Sequence, residues 1–178
     1  MHYYLRVVER QPRSPEADVA WTRRYAELQP RLVRAVAATA GTYLGVEDAV
    51  QEAFAVALAH DRREIANLGG WLYTVAVRHL RRAQRRDAVR RLLHLREAVA
   101  TTELDHAIDR IDLLSNLSQL RPRDRELLVA KYYFGLTQEE IADGFGMRRG
   151  AVSAALSRAA ARFRAIERGK EGAPHARR

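Results

Sequence analysis

Arginines are concentrated in one stretch of the sequence, and their spacing favours the binding of an anionic partner. Residues 71–96 contain eight arginines and a single acid. Like charges four residues apart cost an isolated helix roughly 0.2 to 0.5 kcal/mol per pair, which favours an anionic partner such as nucleic acid. The alternative is a basic helix face that is simply exposed to solvent. The arginines that share one side of a helix are Arg78, Arg81, Arg82, Arg85 and Arg86.

A second basic segment, residues 136–164, has the pattern of a helix-turn-helix. A capping box at Thr137 and Glu140 begins a short helix, and two glycines then make a turn before a helix with one apolar face. In such a unit the second helix enters the DNA major groove. The alternative is a plain helical hairpin. The residues predicted to face bases or phosphates are Arg148, Arg149, Gly150, Ser153, Ala154, Ser157, Arg158 and Arg162.

The acidic residues Glu47, Asp48 and Glu52 could suggest a metal or acid-base site, as in a nuclease. Glu47 and Asp48 lie in a first helical turn, where the helix dipole favours carboxylates for structural reasons. The six histidines have no ligand spacing, and the sequence contains no cysteine, no phosphate-binding glycine loop and no serine nucleophile motif. We therefore expect no catalytic site, no metal site and no cofactor.

Helical periodicity positions these residues, and no strand pattern of any strength is present. A first helix is expected from residue 19 to Gly41, kinked or interrupted at Pro30. Two further helices cover residues 46–58 and about 71–86. In the second half of the chain, apolar residues at helical spacing predict a helical stripe over residues 104–117. A helix from Pro122 to about residue 133, a short helix to about residue 143 and a long final helix are predicted after it.

Charge divides the chain into two parts. The net charge of +9 and a pI near 10.5 favour a polyanionic partner. After the arginine-rich stretch, residues 97–112 reverse the sign with five acids against one arginine, which indicates a flexible acidic linker. The longest uncharged run has 13 residues (65–77), well short of a membrane span, and no signal peptide is visible. We expect a cytoplasmic protein without membrane insertion.

Three motifs in this order resemble those of the extracytoplasmic-function (ECF, group 4) sigma factors of the sigma-70 family: VEDAVQEAFAVAL at 46–58, GWLYTVAVRHLRRAQRR at 70–86 and the helix-turn-helix at 136–164. The resemblance implies an all-α fold with two small helical domains joined by a flexible acidic linker. The expected parts are an N-terminal extension (1–18), a sigma region 2 bundle (19–96), the linker (97–114), sigma region 4 (115–168) and a C-terminal tail (169–178).

The resemblance also implies partners and roles. The chain would bind the clamp helices of the largest subunit of core RNA polymerase and the flap of the second-largest subunit, and it would melt the minus-ten and read the minus-35 promoter elements. An anti-sigma factor is expected by family analogy. By position, Glu47, Asp48, Gln51 and Glu52 would bind polymerase. The residues facing the melted strand would be Asn67, Trp71, Arg78, Arg81, Arg82, Arg85 and Arg86, and the helix-turn-helix residues above, with Thr137, would contact the minus-35 element.

Several positions depart from the family pattern. Arg78 and Arg82 stand where Asn and Asp are usual, and Arg148 stands where a capping Ser is common. Residues 151–155 replace a Thr-Val-Lys-Ser-Arg run and lose two cations and a hydroxyl. Two alternatives to an initiation factor therefore stay open, a helix-turn-helix regulator that acts without polymerase and a polymerase-bound adaptor with weakened promoter reading.

Overall fold

The computed structural model of the protein describes residues 15–59, 65–93 and 111–171. None of these described residues lies in a β-strand, so the fold is all-α, as predicted. We call α1 to α3 the first module and α4 to α7 the second module. In chain order the helices are α1 (Pro15–Ala40), α2 (Val46–Ala59), α3 (Leu68–Leu93), α4 (Ile111–Ser118), α5 (Pro122–Leu128), α6 (Gln138–Phe145) and α7 (Arg149–Glu171).

The first helix starts earlier than the sequence predicts. α1 begins at Pro15, where the missing N–H of proline costs nothing in a first helical turn. Residues 15–18 are therefore helical, and the helix begins four residues before its predicted start at residue 19. The rest of the predicted extension, residues 1–14, lies outside the described residues.

α1 also continues through Pro30 without interruption. Leu32 and Val36, in the turns that follow, are completely buried. Their packing outweighs the hydrogen bond that proline removes, because tertiary contacts supply most of a helix's stability in a folded protein. Gly41 follows the helix with a φ of 73°, a left-handed conformation that glycine adopts without strain, and the end predicted there is confirmed.

α2 and α3 pack against each other in the first module. α2, predicted over residues 46–58, buries an apolar side that includes Val50 and Phe54 and leaves its acidic side exposed. α3 begins at Leu68, three residues before the expected start, because the Oδ1 of Asn67 accepts a hydrogen bond of 2.9 Å from the N–H of Gly70. This side-chain cap satisfies a first-turn donor and moves the start of the helix upstream.

The second module follows the predicted order with shifted boundaries. α4 begins at Ile111, so the last residues of the predicted linker are helical, while residues 97–110 lie outside the described part. Pro122 opens α5 as predicted, and a π-helical turn, Val129–Tyr133, extends it to the expected end. α6 runs two residues past its expected end to Phe145.

One hydrophobic core continues through both modules. Buried Leu72 and Tyr73 of α3 belong to the same cluster as Leu127, Leu136 and Ile141 of the second module. The rings of Tyr73 and Phe134 are stacked, with centroids 4.8 Å apart. A smaller cluster lies within the second module, around Leu117, Leu120, Leu128 and Ala159. The described parts of the two modules are thus packed together, which the sequence did not predict.

Glycines allow the modules to approach each other closely at two positions. A Cβ on Gly144 of α6 would lie 2.8 Å from Cγ2 and 3.0 Å from Cβ of Thr74, which is buried on α3. A Cβ on Gly70 of α3 would lie 2.5 Å from a methyl carbon of Leu136 in the second module. These distances are too short for carbon atoms in contact, so a side chain at either position would require the facing Leu136 or Thr74 to move.

Candidate nucleic-acid and protein interfaces

The exposed side of α2 is acidic. Glu47, Asp48, Gln51 and Glu52 are all exposed, and the opposite side of the helix is buried in the core. Glu47 and Asp48 lie in the first turn, where the positive end of the helix dipole stabilises their charge. Because the buried side fixes the helix, these four polar side chains project together from a rigid surface. Such a surface suits a protein partner with basic residues.

The exposed side of α3 is basic. Arg78, Arg82, Arg85 and Arg86 are all exposed, and Arg78, Arg82 and Arg86 follow one another at four-residue spacing. Burial lowers the pKa of His79 on the same helix; Glu52 opposes this effect, and the neighbouring arginines add to it. His79 therefore adds little positive charge to the surface near neutral pH. The arginines supply the charge that would attract phosphates.

Asn67 and Trp71 are integrated into the folded structure. Besides capping α3, Asn67 donates from Nδ2 to the carbonyl oxygen of Phe134 in the second module, at 2.7 Å. Trp71 is half-buried and packs against the shared core. Both amide atoms of the Asn67 side chain are thus already hydrogen-bonded. Residues 60–64, which precede this segment, lie outside the described part of the chain.

Arg81 differs from the other α3 arginines because it contacts the second module. Its Nε lies 2.7 Å from Oε1 of Glu126, whose side chain is only 3% exposed. The other carboxylate oxygen lies 3.2 Å from Nη1 of Arg123. Burial lowers the pKa of Arg81 and raises the pKa of Glu126, and their mutual attraction opposes both shifts. Desolvation is the larger effect on both groups, so burial of this ion pair costs free energy.

Tyr73 and Thr39 continue this polar contact into the first module. The Tyr73 hydroxyl donates to the backbone oxygen of Glu126 at 3.4 Å and lies 2.9 Å from the hydroxyl of Thr39. Complete burial raises the pKa of Tyr73, so it stays protonated and can donate. The neighbouring Arg125 is also buried, and desolvation lowers its pKa. A chain of polar groups thus crosses between α1, α3 and α5.

α6 and α7 form a helix-turn-helix. Oγ1 of Thr137 accepts from the N–H of Glu140 at 3.1 Å, and Oε2 of Glu140 accepts from the N–H of Thr137 at 2.7 Å, which confirms the capping box. Gly146 ends α6 in a left-handed conformation with a φ of 63°. Val152 and Leu156 of α7 are buried, so the side of α7 opposite to them is free to approach a ligand.

The predicted DNA-contacting residues of this unit lie on that side, with one exception. Arg162 is partly buried, and its Nη1 donates to Oδ2 of Asp124 at 2.6 Å, joining α7 to α5. Arg149 lies 3.5 Å from Glu139 in an exposed ion pair. The predicted residues that are exposed are Thr137, Arg148, Arg149, Gly150, Ser153, Ala154, Ser157 and Arg158.

Two family models match more than half of the chain between them. The model described as Sigma-70 region 2 matches residues 24–92, and the model described as Sigma-70, region 4 matches residues 110–163. The chain belongs to the sigma-70 family. Only residues 93–109 lie between the two matches, so region 4 follows region 2 directly. This order of regions confirms the ECF organisation, and the sigma factor directs promoter recognition and transcription initiation.

Two solved structures are similar to this sigma factor. The sigma factor RpoE from Bartonella quintana, in complex with the anti-sigma factor NepR, is 24% identical with a TM-score of 0.62, over 84% of this chain and 97% of that chain. CnrH, in complex with the cytosolic domain of CnrY, is 21% identical with a TM-score of 0.55, over 85% of this chain and 90% of that chain. At these identities the likeness shows a common fold. None of the curated protein sequences matches the chain.

The buried charges of α5 are the part of the site that sequence reasoning missed. Asp124, Arg125 and Glu126 are all less than 9% exposed. In the sequence they form a run of mixed charge, which is typical of a solvent-exposed helix face. The only available signal was the position of Glu126 next to the apolar pair Leu127 and Leu128. That signal is too weak to separate a buried carboxylate from an exposed one.

No group of three or more histidine and acidic side chains within residues 15–59, 65–93 and 111–171 is placed to hold a metal ion. Over the same residues, no helix is both long enough and apolar enough to cross a membrane.

Proposed function

We propose that the sigma factor uses the acidic side of α2 to bind the clamp helices of the polymerase largest subunit, through Glu47, Asp48, Gln51 and Glu52. The observation that carries this assignment is that opposite charges occupy neighbouring helices, an acidic exposed surface on α2 and a basic one on α3. Complementary charge steers a protein partner to one surface and a nucleic acid to the other. The two partners can then be held at the same time.

The basic side of α3 would hold the melted minus-ten strand. Phosphates would lie along the exposed arginines, and Trp71 would border the pocket for an unstacked base. The helix-turn-helix would place the exposed side of α7 in the major groove of the minus-35 element, while region 4 contacts the polymerase flap. The protein would work in the cytoplasm. It would form no covalent bonds itself, since its role would be to position the polymerase on the promoter and to supply free energy for strand separation. The region bounds 19–96 and 115–168 are part of this proposal.

A protein partner that regulates the sigma factor is part of the same proposal. RpoE was solved with an anti-sigma factor, and CnrH was solved with the cytosolic domain of CnrY. Since this chain has the same fold, we expect an anti-sigma factor for it as well.

A second candidate function rests on the composition of α7. The exposed positions that would meet base edges are Gly150, Ser153, Ala154 and Ser157. These small residues reach few base atoms, so reading of the minus-35 element would be weak. A polymerase-bound adaptor with reduced promoter reading would have this surface.

Run-off transcription with core polymerase on genomic fragments tests the proposal. We expect core binding in a pull-down and discrete transcripts whose start sites share upstream sequence elements. Core binding without transcripts over a range of salt concentrations would favour the adaptor. Absence of core binding would contradict both functions and leave a regulator that acts on DNA alone.

A further inference from the structure

One side of the N-terminal half of α7 is lined by small residues. This side lies opposite to the buried Val152 and Leu156, and none of its residues has a side chain larger than that of serine. Its exposed residues, which recur at helical spacing and which we call the small-residue face, are Gly150, Ala154, Ser157 and Ala161. Over about three helical turns, only a thin layer of side-chain atoms therefore covers the backbone of α7 on this face.

Packing within the chain does not explain the glycine of this face. A Cβ at Gly150 would meet nothing within 4 Å among the described residues. Gly150 also lacks the left-handed conformation that Gly41 and Gly146 adopt. Glycine is unfavourable within a helix, so neither sterics nor backbone conformation favours it at this position. A glycine at such an open position is typical of a backbone that another molecule approaches closely.

The borders of the small-residue face are basic. Arg158 lies on one side of it and Arg164 on the other, and both are exposed. Cations on both borders suit the two phosphate-lined walls of a DNA groove. They disfavour a second copy of the same face, because like charges would meet. A groove of duplex DNA is therefore the partner that this face fits.

The floor of the major groove offers few groups to side chains this small. The methyl group of alanine makes no hydrogen bond, and its apolar partner on a base edge is the C5-methyl group of thymine. The hydroxyl of Ser157 can bond to more than one base, so it selects less strongly. Ala154 lies in the second turn of α7, near the N-terminal end that contacts bases in a helix-turn-helix. Discrimination between bases therefore depends on Ala154.

We propose that α7 recognises thymine methyl groups in the minus-35 element through Ala154, and that the small-residue face lets the helix come close enough to the groove floor for this contact. The proposal rests on the placement of α7 in the major groove proposed above, and it names what the helix recognises there. Contact between the two methyl groups removes apolar surface of both molecules from water. The minus-35 element is accordingly expected to contain thymine at the positions that face Ala154.

The first experiment removes the methyl group from the DNA. Holoenzyme made from core polymerase and the native chain is titrated with a promoter duplex taken from the run-off start sites. The duplex carries either thymine or deoxyuridine, which lacks only the C5-methyl group, throughout the minus-35 element. We expect roughly fourfold weaker binding of the deoxyuridine duplex, the effect of returning one apolar carbon to water. Equal binding, or minus-35 elements without thymine, would overturn the proposal and leave promoter recognition intact.

The second experiment removes the methyl group from the protein. Ala154→Gly should abolish the preference for thymine over deoxyuridine, because the contact then lacks its protein partner. This preference is a ratio measured on one protein, so a general loss of helix stability cancels from it. Ala165→Gly is the matched control, since it changes another exposed alanine about 16 Å further along α7 and should keep the native preference. A preference that survives Ala154→Gly would overturn the role of Ala154.

The third experiment fills the small-residue face. Gly150→Leu adds a side chain at a position where a Cβ meets nothing within 4 Å, so the fold should be kept, as circular dichroism would show. We expect roughly tenfold weaker promoter binding, because leucine holds the helix away from the groove floor. Gly169→Leu is the matched control, since a Cβ there also meets nothing within 4 Å. Native affinity of a folded Gly150→Leu holoenzyme would contradict the close approach.

Two further outcomes separate this proposal from others. Sedimentation of the native chain and of Gly150→Leu tests for self-association. A native dimer that becomes a monomer in Gly150→Leu would show that the small-residue face joins two copies of the chain, which would overturn the proposal. Failure of the native holoenzyme to bind any promoter duplex would instead contradict the proposed function, and the recognition of thymine with it.

Discussion

At the scale of single residues, the structure separates arginines that look equivalent in the sequence. Arg158 and Arg162 are four residues apart on α7, and both were expected near phosphates. Arg158 is exposed, whereas Arg162 pairs with Asp124 at 2.6 Å, and the Asp124 side chain is only 10% exposed. Arg162 therefore stabilises the second module, whatever it also contributes to DNA binding.

We predict that Arg162→Ala lowers the free energy of unfolding by about 1 to 3 kcal/mol, since it leaves a nearly buried carboxylate without this charged hydrogen bond. Arg158→Ala is the matched control and should change stability by less than about 0.5 kcal/mol. Urea unfolding followed by circular dichroism measures both. Equal stability of the two variants would show that the pair with Asp124 contributes nothing.

At the scale of helices, function depends on which side of each amphipathic element is left exposed. α2 and α3 bury their apolar sides against each other and present opposite charges to solvent. The i, i+4 repetition of Arg78, Arg82 and Arg86 is unfavourable for an isolated helix, so the helix is held by its buried side. This arrangement allows the basic side to be changed with little effect on the fold.

We therefore expect the double substitution of Arg78→Glu and Arg82→Glu to reduce promoter opening. The reduction should be about tenfold or more if the phosphate contacts of the two arginines together supply at least about 1.4 kcal/mol. Binding to core polymerase should stay within about twofold of the native value, because α2 is unchanged. Permanganate footprinting of the melted strand and a core pull-down measure these effects. Unchanged opening would show that α3 does not face the strand.

At the scale of the whole molecule, the two sigma regions share a core and a polar contact. Glu126 lies where α5 meets α3, so its ionisation is coupled to the packing of the modules. Burial raises its pKa above the ordinary value of 4.5, despite the opposing influence of Arg81 and Arg123. The folded chain therefore holds a proton at Glu126 to a higher pH than the unfolded chain does.

Stability should depend on pH through this residue. Relative to Glu126→Gln, which imitates the protonated side chain, we expect the native protein to be most stable below the unfolded-state pKa. Its relative stability should decrease as pH rises through the raised pKa of the folded chain. Urea unfolding of both proteins from about pH 4 to pH 8 measures this difference, with the exposed Glu167→Gln as the control. A constant or rising difference would contradict the raised pKa.

The sequence by itself determined the local features of this protein. Helical periodicity, the capping box at Thr137, the proline that opens α5 and the charge patterns of α2 and α3 are all carried by residues close together in the chain. The same local patterns supported the sigma factor prediction, which the two matched regions confirm.

Only the tertiary structure decided how the two modules meet. Packing of buried residues keeps α1 helical through Pro30, and the side-chain cap from Asn67 starts α3 three residues before its predicted start. Folding also buried Glu126 and brought it to Arg81, 45 positions away in sequence. The physical reason is that periodicity shows which side of a helix is apolar but not which distant side chain will remove a given charge from water.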